Sequence, residues 1–98
     1  MSLCYEVAIF KVEKKHIPRV MALSLLLFDE INQAGIVISS YDIIQNTESD
    51  DQLCWQLTWV NQDAVKATAK KWASFPSSQE IESLVGEKIY YGHFLSLL

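Results

Sequence analysis

The stretch QLCWQLTWVN at Gln52–Asn61 decides the architecture of this chain. Side chains of a strand alternate between two faces, so every second residue of the stretch points the same way. Four large apolar side chains therefore share one face: Leu53, Trp55, Leu57 and Trp59. The opposite face is half apolar as well. The fold has to supply a cover for both faces.

Length and composition predict one globular domain spanning residues 1–98, since 50% of the residues are hydrophobic and 20% are charged. The formal net charge of −4, with no concentrated basic face, argues against binding to nucleic acid. The two cysteines form no disulfide framework and are expected to be reduced and buried. No signal peptide is predicted, and the longest apolar run, Val20–Phe28, is too short to cross a membrane. We therefore expect a cytoplasmic protein that binds no membrane.

Apolar periodicity divides the chain into strands and helices. Strands are predicted at Cys4–Val12, Ile36–Gln45, Leu53–Val60 and Lys88–Leu97. One helix has Pro18 in its first turn and ends at Gly35, and a second, capped by Asn61, spans Gln62–Ser74. The sequence SSQE at Ser77–Glu80 is interpreted as a capping box, in which Ser77 caps and Glu80 reaches back, and it predicts a short third helix that ends at Gly86.

The predicted element order is β-α-β-β-α-(α)-β, which is the α+β, ferredoxin-like split βαβ arrangement. Its two crossovers place both main helices on one face of a four-stranded antiparallel sheet. The first and last strands nevertheless carry apolar residues on both sides. A soluble monomer rarely leaves so large an apolar patch in water. We therefore expect a homodimer in which two sheets pack face to face as a dimeric α+β barrel.

The segment TWVNQDAVKATAKKWASFP at Thr58–Pro76 carries the most specific family resemblance. It has a strand-end Trp59, the capping Asn61, the acidic Asp63 and then Ala64. In this pattern, in length and in element order, the chain resembles antibiotic-biosynthesis-monooxygenase-like domains of the dimeric α+β-barrel superfamily. The resemblance implies a ligand cleft between sheet and helices, in which cofactor-independent quinone-forming oxygenases use polar side chains and a Trp. No cofactor is therefore expected.

The haem-degrading relatives in this superfamily are not a match. Those relatives have a haem-ligating His on the second helix and an Asn on the first strand. The second predicted helix contains no His, and the first strand carries Glu6 but no Asn. Haem degradation is therefore not expected.

Two titratable residues are candidate catalytic groups. His93 is the only histidine in a predicted strand and could act as a general base, or simply form a hydrogen bond in the core or an interface. Glu6 lies in an apolar strand, where a carboxylate is costly without a partner and can be tuned as a base. Asp42 could be tuned in the same way, but a solvent-facing or edge position is favoured for it. The acidic segment Asn46–Asp51 is interpreted as a solvated hairpin turn, because it lacks a calcium-loop pattern, and no metal site is predicted.

Four aromatic residues are predicted to line a pocket for a flat ligand: Trp59, Trp55, Tyr41 and Trp72. Core packing alone would also explain Trp72, and the hairpin register that places Tyr41 is open. The leading function is a cofactor-independent, monooxygenase-like enzyme acting on a small aromatic or polyketide-like molecule. The alternative is a non-catalytic small-molecule-binding or assembly domain.

Overall fold

The computed structural model describes residues 2–98 as one sheet with helices on one face. The strands are β1 (Cys4–Val12), β2 (Ile38–Gln45), β3 (Gln52–Trp59) and β4 (Val85–Leu95). The helices are α1 (Ile17–Ile31), α2 (Gln62–Lys70) and α3 (Ser78–Leu84), with single 3-10 turns at Lys14–His16 and Trp72–Ser74. The predicted α+β ferredoxin-like fold is confirmed.

The four strands are antiparallel and lie in the order β2-β3-β1-β4, so β1 and β3 are central. Residues of β1 alternate strictly between buried and more exposed positions. The buried set faces the helices together with both tryptophans of β3. The helices thus cover the face of β3 that carries its two tryptophans and two leucines.

The core lies between this face and α1. Helix α1 begins with Pro18 in its first turn, as predicted, and buries a stripe of apolar residues: Val20, Leu23, Leu27, Phe28 and Ile31. Leu25 and Leu26 remain exposed on its far side. Asn61 caps α2 as predicted, because its Oδ1 accepts a hydrogen bond of 2.8 Å from the Ala64 backbone N–H.

The capping-box prediction at Ser77 is wrong. Ser77 makes no cap bond to α3; its backbone N–H and its hydroxyl both donate to the Glu30 carboxylate of α1, at 3.0 and 2.7 Å. Glu80 instead accepts two bonds of 2.7 Å from Arg19. These partners are distant in sequence, so a local motif could not reveal them.

Several boundaries also differ from the prediction. Helix α1 ends at Ile31 rather than at Gly35, and β2 begins at Ile38 rather than at Ile36. The second helix ends at Lys70 and continues as a 3-10 turn, and β4 begins at Val85 with Gly86 inside it. An irregularity in the β1–β4 pairing lies between Ile9 and Val12 and accommodates this early start. Between residues 2 and 98, no helix is long and apolar enough to span a membrane.

The second face of the sheet is not covered by any element of residues 2–98. We call it the open face, defined by the outward-pointing residues of the four strands: Tyr5, Val7, Ile9, Asp42, Ile44, Cys54, Gln56, Thr58, Tyr90 and Phe94. Tyr90 and Phe94 stack on each other at a centroid distance of 6.4 Å and are 45% and 49% exposed. This surface is where the predicted second copy would pack.

Candidate functional site

A cavity of about 460 Å³ lies between the helix-covered face of the sheet and the helices. Most of its wall is apolar or aromatic, including these residues: Ala8, Phe10, Phe28, Trp55, Leu57, Trp59 and Trp72. Among the few polar groups on the wall are Glu6 and Thr68, which are both buried. A cavity of this size and lining suits a small, flat organic ligand.

Glu6 is the buried charge of this cavity. It lies on β1, is 5% exposed and stands opposite His93 of β4 in the strand pairing. His93 Nε2 is 2.9 Å from Glu6 Oε1, and the Trp59 indole N–H donates to the same oxygen at 3.1 Å. The structure therefore joins three of the sequence-predicted residues in one hydrogen-bonded cluster.

The environment of Glu6 changes its acidity. Burial raises the pKa of Glu6, whereas the hydrogen bond and charge of His93 and the hydrogen bond from Trp59 oppose the shift without cancelling it. A raised pKa gives the carboxylate a higher proton affinity than an exposed glutamate has. A higher proton affinity makes the carboxylate a stronger general base.

Tyr91 extends the cluster and was missed by the sequence analysis. Its ring meets His93 edge-on at a centroid distance of 5.0 Å, and its hydroxyl lies 3.5 Å from His93 Nε2. Desolvation and the nearby Glu6 raise the pKa of Tyr91, although the residue is 64% exposed and solvent screens part of the effect. Its position two residues before His93 on the same strand face was the available signal.

The three tryptophans all reach the cavity wall. Trp55 is 7% exposed, packs edge-on against Phe10 and Phe28, and donates its indole N–H to Ser24 Oγ at 3.2 Å. Ser24 in turn donates to the Val20 carbonyl. Trp72 reaches the wall from the 3-10 turn after α2. These tryptophan side chains therefore pack in the core and line the cavity at the same time.

Tyr41 lies apart from the cavity wall. The strand register pairs it with Leu57, so it shares the face of the tryptophans, and its ring packs on Phe28 at 4.9 Å. Asp42 points to the open face and accepts a hydrogen bond from the Ile43 backbone N–H at 2.9 Å. The structure therefore groups five of the six predicted site residues and leaves Tyr41 outside the group.

The described residues contain no cluster of three or more His, Cys, Asp or Glu side chains that could hold a metal ion. Both cysteines are free thiols, and burial raises the pKa of each. Cys4 also lies near the Glu6 charge, which raises its pKa further. Neither thiol has the lowered pKa of a reactive nucleophile.

The arrangement of sheet, helices and cavity recurs in solved structures. A candidate antibiotic biosynthesis monooxygenase from Bordetella bronchiseptica superposes with a TM-score of 0.79 over 100% of both chains, at 13% identity. The chain has the antibiotic-biosynthesis-monooxygenase-like α+β fold. The predicted resemblance is confirmed at the level of the fold.

Two further structures share this antibiotic-biosynthesis-monooxygenase-like fold. A mutant of SnoaB, a cofactor-independent oxygenase from Streptomyces nogalater, matches with a TM-score of 0.73 at 13% identity, covering 100% of this chain and 96% of that one. A conserved protein from Methanosarcina mazei matches with a TM-score of 0.73 at 15% identity, covering 96% and 92%. No family model and no curated protein matches the sequence.

Proposed function

We propose that the cavity is the active site of a cofactor-independent, monooxygenase-like enzyme that oxidises a small aromatic or polyketide-like molecule, and that the enzyme works as a homodimer. The observation that carries this proposal is Glu6, a buried carboxylate on the wall of an aromatic cavity. A buried carboxylate is costly unless it is paired, and Glu6 Oε1 accepts a hydrogen bond from the Trp59 indole N–H and lies 2.9 Å from His93 Nε2. The cofactor-independent oxygenase among the structural neighbours supports the reaction class.

The proposed reaction converts an activated methylene between aromatic rings into a carbonyl. Glu6 removes one proton from the methylene, and the resulting carbanion transfers an electron to dioxygen. The two radicals combine into a peroxide on that carbon. The second C–H proton passes to the distal oxygen as the O–O bond breaks, which leaves the carbonyl and a hydroxide ion. The hydroxide takes the first proton from Glu6 and leaves as water. In total, CH₂ and O₂ give C=O and H₂O.

His93 would give the proton a route between Glu6 and solvent. Its ring contacts the carboxylate, while its side chain is 23% exposed and Glu6 is 5% exposed. An imidazole ring has two nitrogens and can pass a proton from one to the other. In this scheme Glu6 is the base. His93 holds the Glu6 carboxylate in position and exchanges protons between it and solvent.

The test is dioxygen uptake with anthrone, a tricyclic ketone with one activated methylene, in protein treated with a chelator. Glu6→Gln keeps the shape and an acceptor for Trp59 but removes the base, so we expect kcat to fall about 100-fold or more. His93→Asn should reduce kcat while leaving KM nearly unchanged. Equal rates in wild-type protein and Glu6→Gln would refute the proposed role.

A second function, ligand binding without catalysis, is favoured by the packing of the tryptophans. Trp55 and Trp59 are 7% and 4% exposed and both indole N–H groups are hydrogen-bonded within the protein. Ordinary core formation would produce the same contacts. Under this alternative, anthrone binds with quenching of tryptophan fluorescence, and no dioxygen is consumed above the rate without protein.

A further inference from the structure

The cavity wall carries a second charged position, far from Glu6. Lys88 of β4 and Glu82 of α3 both line the cavity, and Lys88 Nζ lies 2.9 Å from Glu82 Oε2. Lys88 pairs with Phe10, which is four residues from Glu6 on the same face of β1. Four residues of strand span about 13 Å. The base and this ion pair therefore mark two ends of one mainly apolar cavity.

We propose that Lys88 selects ligands with an acidic substituent, so that the substrate class is an elongated, flat aromatic molecule with a carboxylate at the end opposite the reacting carbon. This inference rests on the proposed function in taking the cavity as the ligand site. Lys88 is the only cationic side chain on the cavity wall formed by residues 2–98. The wall between the two ends is aromatic, which suits stacked rings rather than a flexible polar chain.

The resting partner of Lys88 can be displaced. The side chains of Lys88 and Glu82 are 64% and 44% exposed, and exposed ion pairs contribute little to stability. The neighbouring charges are already paired, Arg19 with Glu80 and Lys11 with Glu87. A ligand carboxylate would therefore take the place of Glu82 at Lys88, and the Glu82 charge would oppose it.

The test is calorimetric titration with 6-hydroxy-2-naphthoate and with its methyl ester, which has the same rings without the charge. Lys88→Met should weaken binding of the acid about fivefold or more and leave the ester within about twofold. Glu82→Gln should tighten binding of the acid and leave the ester unchanged. Lys15→Met, which removes a lysine of an exposed ion pair away from the cavity, is the matched control and should change neither.

The outcomes separate this inference from the proposed function. Equal effects of Lys88→Met on acid and ester, or no effect on either, would overturn the role of Lys88 while leaving the cavity as an aromatic site. Failure of both probes to bind wild-type protein would overturn the inference together with the aromatic cavity. Selective binding without dioxygen uptake on any tested substrate would support Lys88 and count against the oxygenase proposal.

Discussion

Glu6 is a carboxylate buried on the apolar face of the sheet, where a stable core normally has an apolar side chain. Its neighbours on the buried face of β1 are small or apolar, and an apolar residue there would pack without desolvating a charge. The alternation of β1 predicted that Glu6 needed a partner. The partner itself follows from the pairing of β1 with β4, because only that register sets Glu6 opposite His93.

The raised pKa of Glu6 makes stability depend on pH. The folded protein holds the Glu6 proton more tightly than the unfolded chain does, so this group favours folding at low pH. Its contribution is fully present below the unfolded pKa, near the ordinary glutamate value of 4.5, and is lost as pH rises through the higher folded pKa.

We therefore expect Glu6→Gln to gain stability relative to wild type as pH rises through that window. Urea unfolding of both proteins at a series of pH values from 4 to 8 measures the difference. Glu48→Gln, at an exposed hairpin turn, is the control and should follow wild type. A wild-type advantage that grows with pH would contradict the assigned direction of the shift.

At the scale of elements, local signals placed most helices and strands, and long-range contacts decided the rest. Asn61 caps α2 through a bond three residues away, which a sequence can show. Ser77 bonds to Glu30, 47 residues earlier, which no local pattern can show. Tyr41 shares the tryptophan face because of the β2–β3 register, with its shift between Ile38 and Ser40.

The contact between Ser77 and Glu30 can be used to test whether the start of α3 is bonded to α1. In a double-mutant cycle, Ser77→Ala and Glu30→Ala should show a coupling of about 1–2 kcal/mol in the free energy of unfolding, because both substitutions remove the bond from the Ser77 hydroxyl to the Glu30 carboxylate. The bond from the backbone N–H of residue 77 persists in Ser77→Ala and does not enter the coupling. Urea denaturation supplies the four values. Ser77→Ala with Glu80→Ala is the matched cycle.

The matched cycle should be additive within about 0.5 kcal/mol, since Glu80 bonds Arg19 and not Ser77. A capping box would give the reverse pattern, with coupling between Ser77 and Glu80. Such a result would contradict the contact between α1 and α3 described above.

For the molecule as a whole, the open face is notable because it exposes large apolar and aromatic side chains. Tyr5, Ile44, Tyr90 and Phe94 are each at least 40% exposed on this face. Burying roughly 800 Å² per subunit is what a standard stable interface requires, and a four-stranded sheet offers a surface of that order. A two-fold pairing of open faces would satisfy it.

We expect wild-type protein to be a dimer at micromolar concentration by size exclusion with light scattering. Phe94→Glu should produce monomer or insoluble protein, because a buried charge without a partner is costly at an interface. Leu26→Glu, at an equally exposed apolar site on α1, is the control and should remain dimeric. A well-behaved wild-type monomer would contradict the dimeric barrel.

If Glu6 takes a proton from the methylene carbon of a substrate in the cavity, replacing the methylene hydrogens with deuterium slows that step. The measurement is the rate of quinone formation, under air and with chelator, from anthrone and from anthrone deuterated at its methylene. We predict that the deuterated substrate reacts more slowly in wild-type protein, that one dioxygen is consumed per quinone, and that Glu6→Gln falls to the rate without protein. Protein-dependent turnover that Glu6→Gln fully retains, with the same isotope effect as wild type, would contradict the account.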